Sequence, residues 1–151
     1  MPCDDNLATK AAYQEAENML EFRPDRLGHA LLLPRTLQKK LSKARIPVEC
    51  CPTSNVMTLE LAKHYSGSLL EGLKRHPQLA SWLQSSHPIS IGTDDPGVFH
   101  TSATKELMVL QKAFDLDRGT LGKIVLQSME HAFCSDDTRK LILSRISERL
   151  S

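Results

Sequence analysis

The chain has 151 residues, 40% hydrophobic and 25% charged, with Lys plus Arg 19 against Asp plus Glu 18. A formal net charge of +1 argues against a nucleic-acid binder, which shows a basic patch or stripe, and no apolar run nears the roughly 20 residues needed to span a bilayer. The opening Met1-Pro2-Cys3-Asp4-Asp5 lacks the charged and apolar regions of a secretory leader, so a cytoplasmic location is expected.

The first helix is expected from Asn6 to Phe22, where Leu7, Ala11, Ala12, Ala16, Met19 and Leu20 share a face and Pro24 ends it. The apolar run from Arg26 to Leu32 reads as a buried strand. Pro34 suits the first turn of a helix carrying Leu37, Leu41 and Ala44. A second buried strand follows from Ile46 to Cys51 and is closed by Pro52. Residues from Thr58 to Ser86 read as mostly helical, with breaks at Ser66-Gly67 and His76-Pro77. A third strand, Ile89 to Thr93, exits through Asp94-Asp95-Pro96-Gly97. The remainder is helical: Ala103, Leu107, Leu110 and Phe114 mark one face, another helix starts near Asp117, and Ser135 caps the last. Strands alternating with helices imply parallel pairing and an α/β architecture, because parallel strands need a crossover.

Cys3, Cys50, Cys51 and Cys134 include no CxxC pair, and the two adjacent ones are poorly placed to bridge each other, so buried reduced thiols are expected. The lysine-rich stretch Lys39, Lys40, Lys43 and Arg45 reads as a solvated helix face. His64, His76, His100 and His131 lack metal-ligand spacing and read as surface or packing residues.

In parallel α/β folds, reactive side chains collect where strands end and loops begin. Three such ends carry polar residues here: Gly28-His29, Cys51-Pro52-Thr53-Ser54-Asn55, and Thr93-Asp94-Asp95-Pro96-Gly97. His29 alone reads more often as a satisfied core histidine, although Gly28 would let a ligand or backbone approach closely. Two carboxylates closing an apolar strand need a cation or donors to offset desolvation, and strand alternation would turn Asp94 and Asp95 to different tasks. The plainer alternative is a turn, since Asp-Pro-Gly is ordinary turn chemistry. Thr53, Ser54 and Asn55 likewise serve as turn formers and caps.

Taken together and in order, these segments resemble the adenosine deaminase family, particularly its adenosine deaminase-like branch. The residues that carry the resemblance are Asp25 to Ala30, Cys51 to Val56, His87 to Phe99, and Ser128 to Phe133. The resemblance implies the C-terminal portion, residues 1–151, of a TIM-type (β/α)₈ barrel: strands six to eight with their helices. It implies zinc-dependent hydrolysis of the C6 amino group of a purine, the metal lowering the pKa of a bound water. Under it, His29 orients the hydroxide and stabilises developing charge, Asp94 ligates zinc, and Asp95 contacts both the attacking water and the purine. The substrate would be adenosine or a purine nucleoside monophosphate such as AMP or N6-methyl-AMP.

The family's HxH on its first strand, its fifth-strand histidine and its acidic proton donor have no counterpart in the sequence. Such a barrel takes about 250 residues, so the chain is expected to be inactive alone. Its exposed strand edges suggest an alternative, a non-catalytic fragment acting as a binding or oligomerisation module. An unrelated small α/β binding domain remains a third possibility.

Overall fold

The computed structural model describes residues 10–63 and 67–150. Helix α1 (Lys10–Glu21) leads into β1 (Leu27–Gly28), α2 (Arg35–Ala44) and β2 (Val48–Cys50). Three helices follow, α3 (Pro52–Thr58), α4 (Leu69–Lys74) and α5 (Leu79–Gln84), before β3 (Ile89–Ile91). The chain then runs through a single turn, α6 (Pro96–Phe99), into α7 (Ala103–Phe114), α8 (Arg118–Glu130) and α9 (Asp136–Leu150).

The strands form one parallel sheet in the order β1-β2-β3, with Leu27 opposite Val48 and Val48 opposite Ile89. Sequential order with helical crossovers brings all three C-terminal strand ends to one edge of the sheet, as expected for consecutive strand–helix units of a partial barrel. Helix α8 packs on β3, α9 on α8, α7 on α4, and α1 on α2. Leu37, Leu41, Val48, Cys50, Leu73, Leu79, Trp82, Ile89 and Leu110 form the core.

The strands are shorter than the apolar runs suggest. After Gly28 the backbone takes positive φ at His29, Ala30 and Leu32, leaving the extended region although the His29 N–H still bonds the Glu49 carbonyl at 2.8 Å. Within the stretch read as mostly helical from Thr58 to Ser86, α4 and α5 are separated at His76-Pro77 as expected, whereas the helix before them already ends at Thr58, having begun at Pro52. Proline suits that position because the first helical residues have no intrahelical partner for their N–H. Asp94-Asp95-Pro96-Gly97 forms the start of α6 rather than an open turn. The predicted residues Asn6 to Thr9 of the first helix, Cys3, and His64 lie outside the described residues.

Caps match their local sequence elsewhere. Ser102, Asp117 and Ser135 accept from the backbone N–H groups of Lys105, Thr120 and Thr138. Helix α2 ends on Arg45 at φ 50°, a left-handed conformation that glycine adopts without Cβ strain. Arg45→Gly is expected to raise the urea-unfolding stability by about 0.5–1 kcal/mol, less whatever is lost with its bond to the Ser86 carbonyl at 2.9 Å. A drop in the unfolding midpoint would contradict this.

Candidate functional site

The three polar strand ends converge. His29 stands just past β1, Ser54 and Asn55 lie in the first turns of α3 after β2, and Asp94 follows β3. The Ser54 hydroxyl donates to Asp94 Oδ2 at 2.6 Å. His29 Nε2 lies 3.9 Å from the same oxygen, with both side chains near two-fifths exposed. On its other side, His29 Nδ1 meets Asn55 Nδ2 at 2.9 Å.

Asp94 reaches this point through a close backbone approach. A Cβ on Gly92 would stand 3.2 Å from Cys51 Sγ and 3.4 Å from Glu49 Cγ, so glycine lets the chain pass low over β2. Asp94 itself sits at φ 58°, a region that aspartate tolerates better than most residues. Gly28 differs: a Cβ there would meet nothing within 4 Å, so no neighbour within the described residues accounts for it.

Asp95 takes another direction. It is the N-cap of α6, and its Oδ1 accepts from the Val98 N–H at 3.4 Å. Strand alternation does not govern the pair, because β3 ends at Ile91 and both aspartates lie beyond it. His29 and Asp94 are therefore brought together, whereas Asp95 faces its own short helix.

Three residues without a distinctive sequence signal support this arrangement. Asn55 is 1% exposed and His76 is 4% exposed. His76 Nε2 lies 3.4 Å from Asn55 Oδ1, and the Cys50 thiol donates to that same oxygen at 3.6 Å. Glu106, fully buried at 0% exposure, accepts the Thr53 N–H at the start of α3 at 2.9 Å. It also accepts from the Thr101 hydroxyl. Its carboxylate thereby satisfies one of the unpaired N–H groups of α3 and complements that helix's positive end.

Cys50 and Cys51 are chemically quiet, whereas Cys134 is only partly buried and Cys3 lies outside the described residues. Burial raises the Cys50 thiol well above its usual range. Cys51 is pushed up to about 12 by burial, then by the charges of Glu49 and Asp94. Both are free and buried, and neither carries thiolate at neutral pH.

Burial lowers the His76 pKa to about 4 from the ordinary 6.5. Above 6.5 the folded and unfolded chains both hold this ring neutral. Between 6.5 and about 4 the unfolded chain takes up a proton that the folded chain refuses, so stability falls with pH across that window and levels off beneath it. His87, also lowered by burial, acts in the same direction. Urea-unfolding stability is expected to fall by about 2 kcal/mol between pH 7 and pH 5 from His76 alone. A His76→Asn variant would flatten that part of the profile, and a wild-type profile already flat there would contradict the assignment.

Asp94 offers one carboxylate to a metal. Among the described residues, no group of three or more His, Cys, Asp or Glu could hold an ion, whereas a catalytic zinc takes three protein ligands. By themselves these residues do not fit a catalytic zinc. Among them, too, no helix is long and apolar enough to cross a membrane.

The adenosine deaminase family model matches residues 10–149. An adenosine deaminase-like protein of Drosophila pseudoobscura pseudoobscura is 31% identical over 132 residues, which cover 87% of this chain and 36% of the relative. The human N6-methyl-AMP deaminase is 30% identical, covering 83% of this chain and 34% of its own. In solved structures, Arabidopsis ADAL complexed with IMP superposes with a TM-score of 0.77 at 28% identity, over 89% of this chain and 37% of that one. The same relative is also known complexed with GMP. The chain thus spans about a third of the length of the proteins it matches, and its three-stranded parallel sheet is part of their barrel fold.

Proposed function

This chain belongs to the adenosine deaminase family, and from that premise we propose that it supplies the strand-six-to-eight portion of a site that hydrolyses the C6 amino group of a purine. The observation that carries the reading is the meeting of His29, Ser54 and Asp94 at three neighbouring parallel strand ends. In this reading water adds at C6 and ammonia or an alkylamine departs, leaving a 6-oxopurine. His29 faces the incoming oxygen and stabilises charge as it develops. Asp94 is one ligand of a zinc whose other ligands come from elsewhere in a complete barrel, and Ser54 holds its carboxylate in place. Asp95 contacts the attacking water and the purine. The IMP and GMP complexes of the Arabidopsis relative favour a nucleoside monophosphate, with N6-methyl-AMP the substrate to test first. Residues 1–151 act as the C-terminal part of that barrel, in the cytoplasm, and show no turnover alone.

The test is a hybrid in which this chain replaces the matching C-terminal third of the Arabidopsis N6-mAMP deaminase. Zinc-dependent release of methylamine from N6-methyl-AMP is expected from the hybrid and not from the isolated chain. Asp95→Asn separates the two uses of that residue, since asparagine caps a helix as well as aspartate does. Folding should survive while turnover falls by about 10²-fold or more. A folded, zinc-loaded hybrid that leaves both N6-methyl-AMP and adenosine intact would overturn the reading.

A second reading has one observation in its favour. A groove of about 810 Å³ runs between α1 and β1, lined in part by Ala11, Met19, Phe22 and Leu27, and Phe22 is 84% exposed. Beside the open strand edges, it suits a binding or oligomerisation module that completes a longer partner's barrel. Size-exclusion chromatography showing a well-folded monomer would count against this.

A further inference from the structure

We propose that Asn55, itself held by His76, is a positioning residue that fixes His29 as the Nε2–H tautomer and so leaves a donor facing Asp94 and the open space at the strand ends. The inference rests on the reading of His29 as the group that faces the attacking oxygen. It adds how the chain decides which ring nitrogen carries the proton.

The assignment propagates from groups that cannot be inverted. The backbone N–H groups of Gln78 and Leu79 both point at His76 Nδ1, at 3.2 and 3.0 Å. A backbone N–H only donates, so His76 Nδ1 carries a lone pair and Nε2 carries the proton. That proton meets Asn55 Oδ1 at 3.4 Å, where the Cys50 thiol also donates. Reversing the Asn55 amide would set NH₂ against two donors in a site sealed from water. The amide nitrogen must therefore face His29 Nδ1, at 2.9 Å. A donor there requires Nδ1 to accept, and the remaining proton of the neutral ring goes to Nε2.

The sequence spacing makes the device non-local. His76 is 21 residues from Asn55, and Asn55 is 26 from His29, so it exists only once β1 and β2 are paired and α5 is docked. His29 is partly exposed, but its Nδ1 side looks into buried groups. Solvent therefore cannot substitute easily for Asn55 on that side.

Long-range ¹H–¹⁵N NMR of the imidazole rings tests this on the chain as it stands, without metal or nucleotide, at about pH 8.5, where a free imidazole is neutral. In the wild type, His29 is expected to show a protonated Nε2 and an accepting Nδ1, the other tautomer being on the order of tenfold rarer. A free imidazole already leans towards Nε2–H, so the decisive arm is Asn55→Asp. Its carboxylate accepts from both rings and should invert His29 to Nδ1–H. His76 keeps its Nε2–H signature, held by its two backbone donors, and so reports that the fold is intact. An unchanged His29 pattern beside an intact His76 signature would overturn the proposal, as would a wild-type His29 protonated at Nδ1. Should Asn55→Asp prevent folding, scalar coupling across the Asn55 Nδ2–H···Nδ1 His29 bond in the wild type decides instead, and its absence overturns the proposal. A tautomer fixed as expected in a chain whose hybrid fails to deaminate would sink the deaminase reading and leave this one standing.

Discussion

His29→Ala is expected to lower kcat of the hybrid deaminase towards N6-methyl-AMP by about 10²–10⁴-fold, the range typical of a positioned acid–base or electrostatic group. KM should change little, because a group that works mainly on the transition state contributes little to ground-state binding. The geometry gives the reason for a large effect. One face of the ring is held by Asn55 at 2.9 Å, so its Nε2 is aimed before substrate arrives, with Asp94 Oδ2 at 3.9 Å. A preorganised donor pays no reorientation cost during reaction. Zinc content should be retained in His29→Ala and lost in Asp94→Ala, which separates the two roles in one preparation. A fall of less than tenfold in kcat for His29→Ala would place the chemistry elsewhere.

Glu106→Ala is expected to destabilise the chain by roughly 3–5 kcal/mol, combining an unsatisfied buried N–H, a lost charge-assisted bond and a cavity. Glu106 has no exposed surface. It joins α7 to the N-terminus of α3 through the Thr53 N–H at 2.9 Å and ties in the Thr101 hydroxyl. Those two helices also pack directly on one another. Glu106→Gln should cost only about 1 kcal/mol, because the amide oxygen can accept from Thr53 while the amide nitrogen donates to Thr101 Oγ1. Urea denaturation of the two variants measures the contrast. Equal losses for Ala and Gln would mean that the negative charge, not the bonding pattern, supports α3. Because α3 carries Ser54 and Asn55, the alanine variant should also loosen the site, visible as faster amide exchange at Asn55.

How much of the site could be read along the chain depends on the range of each interaction. The strands at Leu27–Gly28, Val48–Cys50 and Ile89–Ile91 lie within apolar runs, which periodicity and composition reveal locally. Their lengths were less legible, since burial and chain direction, not apolar character, decide where extension stops. Thr53, Ser54 and Asn55 favour caps by local propensity. In the folded chain all three are buried within α3, because Pro52 starts the helix and tertiary bonds to Glu106, Asp94 and His29 satisfy their polar groups. His76 shows no metal-type spacing and reads along the chain only as a surface or packing residue. In the fold its ring lies beside Trp82, and it also orders Asn55.

By itself the sequence determined the α/β order of elements, the three polar strand ends and the kinship with adenosine deaminases, since each rests on residues close together in the chain. Only the tertiary structure decided which of those residues meet. Parallel pairing of β1, β2 and β3 sets His29, Asn55 and Asp94 side by side, and turns Asp95 to its own helix. The physical reason is that parallel strands are joined by long crossovers, so His29 lies 26 residues from Asn55 and Asp94 lies 40 from Ser54, which holds its carboxylate, beyond the reach of any local pattern.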